Sequence, residues 1–136
     1  MNKFIYYFIL FFFICFNSYS EKISEIKIEG NKRITDETIK LFSGVENFKG
    51  KDLNENDLNI LLKQLYETNF FENVYIGLNN NILTIKVKEN PLIQTVRFIG
   101  IKNKKLLEYL NENIELKERT SYLKNNVKND EAKITN

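Results

Sequence analysis

The sequence predicts an α+β fold in which two helices cover a three-stranded mixed sheet, in the chain order β-α-α-β-β, followed by an incomplete second copy of that unit. Three observations predict it. Leu58, Leu61, Leu62, Leu65 and Tyr66 form an apolar stripe at helical spacing. Residues 74–88 alternate apolar and polar on either side of Asn79-Asn80-Asn81, the pattern of a one-faced hairpin. Ile93, Val96, Phe98 and Gly100 then repeat Ile23, Ile26, Ile28 and Gly30 at a shared offset of seventy positions.

Taken in order, Ile23, Ile26 and Ile28 alternate with polar residues and stop at Gly30, which reads as a short strand. Thr35 is a helix N-cap, and Asp36 and Glu37 put negative charge where the helix dipole favours it. Ile39 and Phe42 share one face of this short helix, and Ser43-Gly44 ends it. Val45 to Asp52 reads as a loop. Asn54 caps a second helix with Asp57 at its third position, and the stripe from Leu58 to Tyr66 is its core face. Phe70 and Phe71 mark a helix-to-strand corner; Phe71 is expected to plug the core, while Phe70 is divided between core and a partner-binding interface. Val74, Ile76 and Leu78 make the first hairpin strand, Leu83, Ile85 and Val87 the second, and Asn90-Pro91 closes the unit.

The first twenty residues stand apart. Lys3 precedes thirteen unbroken apolar residues, Phe4 to Phe16, and Asn17-Ser18-Tyr19-Ser20 supplies small residues for cleavage before Glu21. A spanning helix needs about 20 apolar residues, so 1–20 is read as a cleaved export signal in preference to an anchor. Cys15 follows Phe13 and Ile14, which lack the small residue a lipid-modified cysteine needs, and it leaves with the signal. The remaining chain has no cysteine and must fold by packing alone.

Lys and Arg total 20 and Asp and Glu total 18, interspersed apart from the group Lys102, Lys104 and Lys105. No basic stripe suits nucleic acid. With no histidine, and no cysteine after the signal, common zinc sites and Ser-His or Cys-His nucleophilic pairs are excluded. Asp36 with Glu37 is helix-start charge, and Asp130 with Glu131 is solvated surface. The five glycines form no phosphate-binding cluster. The reading is therefore a non-enzyme, with no cofactor and no small-molecule substrate.

Beyond Pro91 the second copy begins, with a helix at Lys104–Asn113 through Leu106, Leu107 and Leu110. A further helix is expected over roughly the last fifteen residues, with no hairpin after it. Ile93, Val96 and Phe98 then lack the strand they should pair with, so the chain is expected to be part of a longer protein.

Four segments carry a family resemblance: IKIEGNKRITDETI (Ile26–Ile39), LYETNFFENVYI (Leu65–Ile76), LTIKVKENPLI (Leu83–Ile93) and VRFIG (Val96–Gly100). They resemble the POTRA (polypeptide-transport-associated) domains of the outer-membrane β-barrel assembly factors, the family of the Bam complex core subunit, over Glu21 to about Leu110. The resemblance implies residues 21–91 as a first POTRA domain and 92–136 as part of a second. It implies a periplasmic scaffold at the outer membrane of a Gram-negative cell, held there by a membrane barrel missing from this chain. Unfolded outer-membrane barrel proteins and accessory assembly lipoproteins are the implied partners. In the implied fold the strand Val74, Tyr75, Ile76, Gly77 and Leu78 lies at a sheet edge, and the strand from Asn81 to Lys88 is central. An edge accepts extended segments by strand addition, which makes these five residues the candidate docking site. Two other classes carry POTRA units: transporters of the two-partner secretion or translocation type, and single-span cell-division proteins. The second requires Phe4 to Phe16 to stay as an anchor. A small periplasmic hydrolase lacks the nucleophile and base it would need.

Overall fold

The computed structural model describes residues 22–135; the leader assigned to 1–20, with Cys15, the start at Glu21, and Asn136 lie outside them. The elements run β1 (Glu25–Glu29), α1 (Asp36–Ser43), a short 3-10 turn (Val45–Phe48), α2 (Glu55–Glu67), β2 (Phe71–Asn79), β3 (Ile82–Glu89), α3 (Lys104–Asn113) and α4 (Lys124–Thr135). The sheet order is β1-β3-β2, with β1 parallel and β2 antiparallel to β3. A parallel pair needs a long crossover, and here α1 and α2 supply it.

The local chemistry explains each boundary. The Thr35 hydroxyl accepts the Thr38 N–H (3.3 Å) to open α1. Gly44 closes it in the left-handed conformation (φ 68°), its N–H donating to the Lys40 and Leu41 carbonyls. Asn54 and Asp57 form a reciprocal capping box at the start of α2, both bonds being 3.1 Å. The hairpin turns on Asn80 (φ 50°) and Asn81 (φ 66°). Two successive left-handed residues match the twist of the strands they join, and asparagine tolerates that conformation well.

The core has two parts. Ile34, Ile39, Leu65, Phe71, Val74, Ile85 and Val87 form one cluster, and Ile23, Val45, Leu61 and Leu83 form the other. Ile26 and Ile76 pack against both. Burying Leu61 and Leu65 on α2, each fully sequestered, contributes about 1.5–3 kcal/mol apiece in transfer free energy. Val45 sits in what the sequence suggests is a plain loop, yet it is fully buried, and its 3-10 turn presents it to the second cluster. Phe71 plugs the core as expected. Phe70 is half-buried and stands edge-on between Phe42 and Phe71, with ring centroids 5.6 and 6.3 Å away.

Two polar struts tie loops to the end of β3. One Glu89 carboxylate oxygen accepts the N–H groups of Lys32, Arg33 and Ile34 at 2.8–2.9 Å, and the other lies 3.5 Å from Arg33 Nε. Burial opposes ionisation of Glu89, but the three backbone donors and Arg33 outweigh it and hold the carboxyl below its ordinary range. Asn90, also buried, donates its N–H to the Phe70 carbonyl (2.8 Å) and its side-chain amide to the Asn69 carbonyl (2.9 Å).

The internal repeat is visible in the backbone. Gly30 and Gly100 hold φ of +88° and +85°. Lys22 bridges Asp52, and Leu92 bridges Ser121. The Gly50 N–H donates to the Ile23 carbonyl, and the Arg119 N–H donates to the Ile93 carbonyl. Arg119 even adopts the left-handed conformation of Gly50, at φ 62° against 74°. The repeat departs from its first copy at the strand. Ile93, Val96 and Phe98 form no strand, because among the described residues nothing equivalent to β3 lies beside them. Around Gly30 an added Cβ would sit 2.3 Å from the Val87 carbonyl oxygen of β3; around Gly100 it would meet nothing within 4 Å. In this region Asp130 is buried and accepts the Glu115 and Leu116 N–H groups at 2.8–3.0 Å, so it is a structural tie and not the solvated carboxylate its composition suggests.

Candidate docking edge

Val74, Tyr75, Ile76, Gly77 and Leu78 all fall in β2, which has β3 on one side and no strand on the other among the described residues. β2 is longer than expected, starting at Phe71, and a bulge interrupts its register between Phe71 and Asn73.

The hairpin determines which backbone groups face outward. Asn79 and Ile82 flank a two-residue turn and so exchange both ladder bonds. Alternation then makes Gly77 with Thr84 and Tyr75 with Lys86 hydrogen-bonded pairs, while Leu78–Leu83, Ile76–Ile85 and Val74–Val87 are not. The N–H and C=O groups of Val74, Ile76 and Leu78 therefore point away from β3, toward the open edge.

The side chains of these same residues turn to the helix-covered face. Val74 is buried, and Ile76 and Leu78 are half-buried against the core. Beside the edge runs a shallow groove between α2 and β2, lined by Leu58, Leu62, Val74 and Ile76 with Glu55 and Asn59. Tyr75 points the other way, 61% exposed, and its ring lies over Gly77, where an added Cβ would be 2.7 Å from the Tyr75 hydroxyl. The open face continues as a charge ladder: Lys27 and Lys86 both reach Glu29 (2.7 and 3.2 Å), and Lys88 reaches Glu72 (2.8 Å). Bonds from these lysines hold Glu29 and Glu72 ionised below the ordinary carboxylate value. Such a face stays hydrated, while β2, like β1 on the far side of the sheet, ends in an edge with no neighbouring strand among the described residues.

Tyr66 corrects the sequence reading. Placed in the core stripe of α2, it is instead 40% exposed. Its hydroxyl accepts the outward Val74 N–H (3.1 Å) and donates to Asn73 Oδ1 (3.3 Å). A tyrosine at the last position of an apolar stripe carries a polar handle that a leucine would not, and that was the available signal.

The arrangement holds no cluster of three or more metal-ligating side chains among the described residues, and no described helix is long and apolar enough to cross a membrane. What it offers is a short ladder of unpaired backbone groups flanked by an apolar groove.

No protein-family model matches the chain. Over 89 residues it is 34% identical to the outer membrane protein assembly factor BamA of Neorickettsia risticii (strain Illinois), a match spanning 65% of this chain and 11% of that protein. Among solved structures it is similar to the N-terminal domain of Omp85 from Thermosynechococcus elongatus, with TM-score 0.54 and 19% identity over 83% of this chain and 48% of the other. It is also similar to POTRA1-2 of the periplasmic domain of Omp85 from Anabaena, with TM-score 0.50 and 12% identity over 84% of this chain and 75% of the other. The fold is the α+β POTRA fold, and in sequence the chain resembles the POTRA region of the BamA/Omp85 assembly factors.

Proposed function

We propose that this POTRA region of the BamA/Omp85 type is a periplasmic scaffold of an outer-membrane protein assembly factor, which holds extended segments of unfolded barrel proteins, or accessory assembly lipoproteins, on the β2 edge. Under this reading residues 21–91 form one POTRA domain and 92–136 part of the next. Residues 1–20 direct export, and a membrane barrel outside this chain provides the link to the outer membrane.

The observation that carries the proposal is the unpaired ladder at Ile76 and Leu78, exposed beside the Leu58–Leu62 groove. A strand laid along β2 bonds these groups, and its alternate side chains fall on the groove side. Each backbone bond nets about 0.5–1.5 kcal/mol, so a ladder this short reaches only a few kcal/mol in total. That corresponds to millimolar affinity or weaker. Main-chain recognition of this strength tolerates many sequences and releases them readily, as the handling of unfolded chains requires.

Photo-crosslinking to unfolded barrel peptides tests the proposal with Ile76→Pro. Proline removes the outward N–H without touching the bonds to β3, and edge strands tolerate it at such a position. Ile76→Ala removes the same apolar contacts and keeps the N–H. Crosslinking should fall for Ile76→Pro well below the Ile76→Ala level. Equal crosslinking of the two variants counts against strand addition.

A further inference from the structure

The docking edge is closed at one end by a side chain of the helix that covers it. Tyr66 projects from the last turn of α2 (Glu55–Glu67), and its hydroxyl sits on the Val74 N–H, where the carbonyl of an added strand would go. The second bond, to Asn73 Oδ1, anchors the hydroxyl beside the bulge that already breaks the β2 register. At the opposite end the ladder stops at the Asn80–Asn81 turn. Between these limits only Ile76, Leu78 and the Val74 carbonyl are open to a newcomer.

Building on the docking reading above, we infer that the Tyr66 hydroxyl is a gate that limits how far an extended polypeptide can pair along β2, confining it to the Ile76–Leu78 segment. The physics is an exchange. A strand that advances to the Val74 N–H must evict an existing hydrogen bond before it forms its own, so pairing with that N–H brings no net bond. A phenylalanine in place of Tyr66 keeps the ring and its packing but leaves the Val74 N–H free, and the same step then gains a full bond. The gate keeps the ladder short, and a short ladder is what makes the hold weak and reversible. It also fixes register, because the pairing must begin beyond the obstruction.

The test uses the whole exported chain, 15N-labelled. It is titrated by NMR with an acetylated, amidated nine-residue peptide of alternating valine and threonine between terminal lysines. With the native chain the Ile76 and Leu78 amides should shift and the Val74 amide should not. With Tyr66→Phe the dissociation constant should fall about two- to tenfold, the worth of one backbone bond, and the Val74 amide should join the shifted set. Asn73→Ala, which frees the hydroxyl from its anchor without removing it, should give a smaller tightening in the same direction. Equal affinity and an unmoved Val74 amide in both variants overturn the gate while leaving the docking reading intact. Absence of peptide binding to all three proteins overturns the docking reading and the gate together.

Discussion

Replacing Gly30 by alanine separates two costs that usually arrive together. Gly30 holds φ +88°, and an alanine there bears roughly 1–2 kcal/mol for the left-handed conformation alone. Its new Cβ would also lie 2.3 Å from the Val87 carbonyl oxygen, an atom of the central strand that cannot swing aside as a side chain tip could. Overpacking against a fixed neighbour typically adds about 1–3 kcal/mol. The expected loss is therefore roughly 2–5 kcal/mol, a large share of the stability of a small domain. Gly100 provides the internal comparison, since it has the same φ (+85°) and open space around the missing Cβ. Gly100→Ala should cost no more than roughly 1–2 kcal/mol. Urea unfolding followed by circular dichroism, with unchanged slope, reads both values. Equal losses for the two variants would refute the claim that Gly30 is a glycine because β3 passes directly over it.

Other perturbations address the struts and turns. Glu89→Ala leaves the Lys32, Arg33 and Ile34 N–H groups without their acceptor and should cost about 1–3 kcal/mol, read as a lowered melting temperature. Because the Glu89 carboxyl is held below its ordinary value of 4.5, its contribution is complete above that pH and vanishes as pH falls through the depressed value. Melting temperature should therefore decline on acidification below about pH 4.5, less steeply in Glu89→Ala, and parallel declines would contradict the strut. Arg119 holds φ 62° where its counterpart in the first copy is Gly50, so Arg119→Gly should stabilise the chain by about 1 kcal/mol or less in the same urea assay.

The helical layer was legible because its signals are local. The Asn54–Asp57 box lies within one turn, and the leucine stripe of α2 within three. The hairpin was legible for the same reason, since alternation and a three-asparagine turn are short-range patterns. Strand order was not. Nothing in the alternation of Val74 to Val87 says which strand is flanked on both sides, and that expectation came from family resemblance. Long-range pairings were also silent: the sequence does not say that Glu89 reaches back to a loop more than fifty residues earlier. The candidate site was read as five residues of one strand, yet its free groups belong to alternate members, and one of those is covered by Tyr66. Seeing that requires the ladder register, which depends on the turn type and so on the folded hairpin.

The central claim is that an extended chain pairs with the outer side of β2. Amide exchange of the chain from Glu21 onward, with and without an unfolded barrel peptide, measures this most directly. The account predicts new protection at Ile76 and Leu78, with Tyr75 and Gly77 unchanged because β3 already holds them. Protection confined to β1, or none on β2 at peptide concentrations of several millimolar, would contradict it.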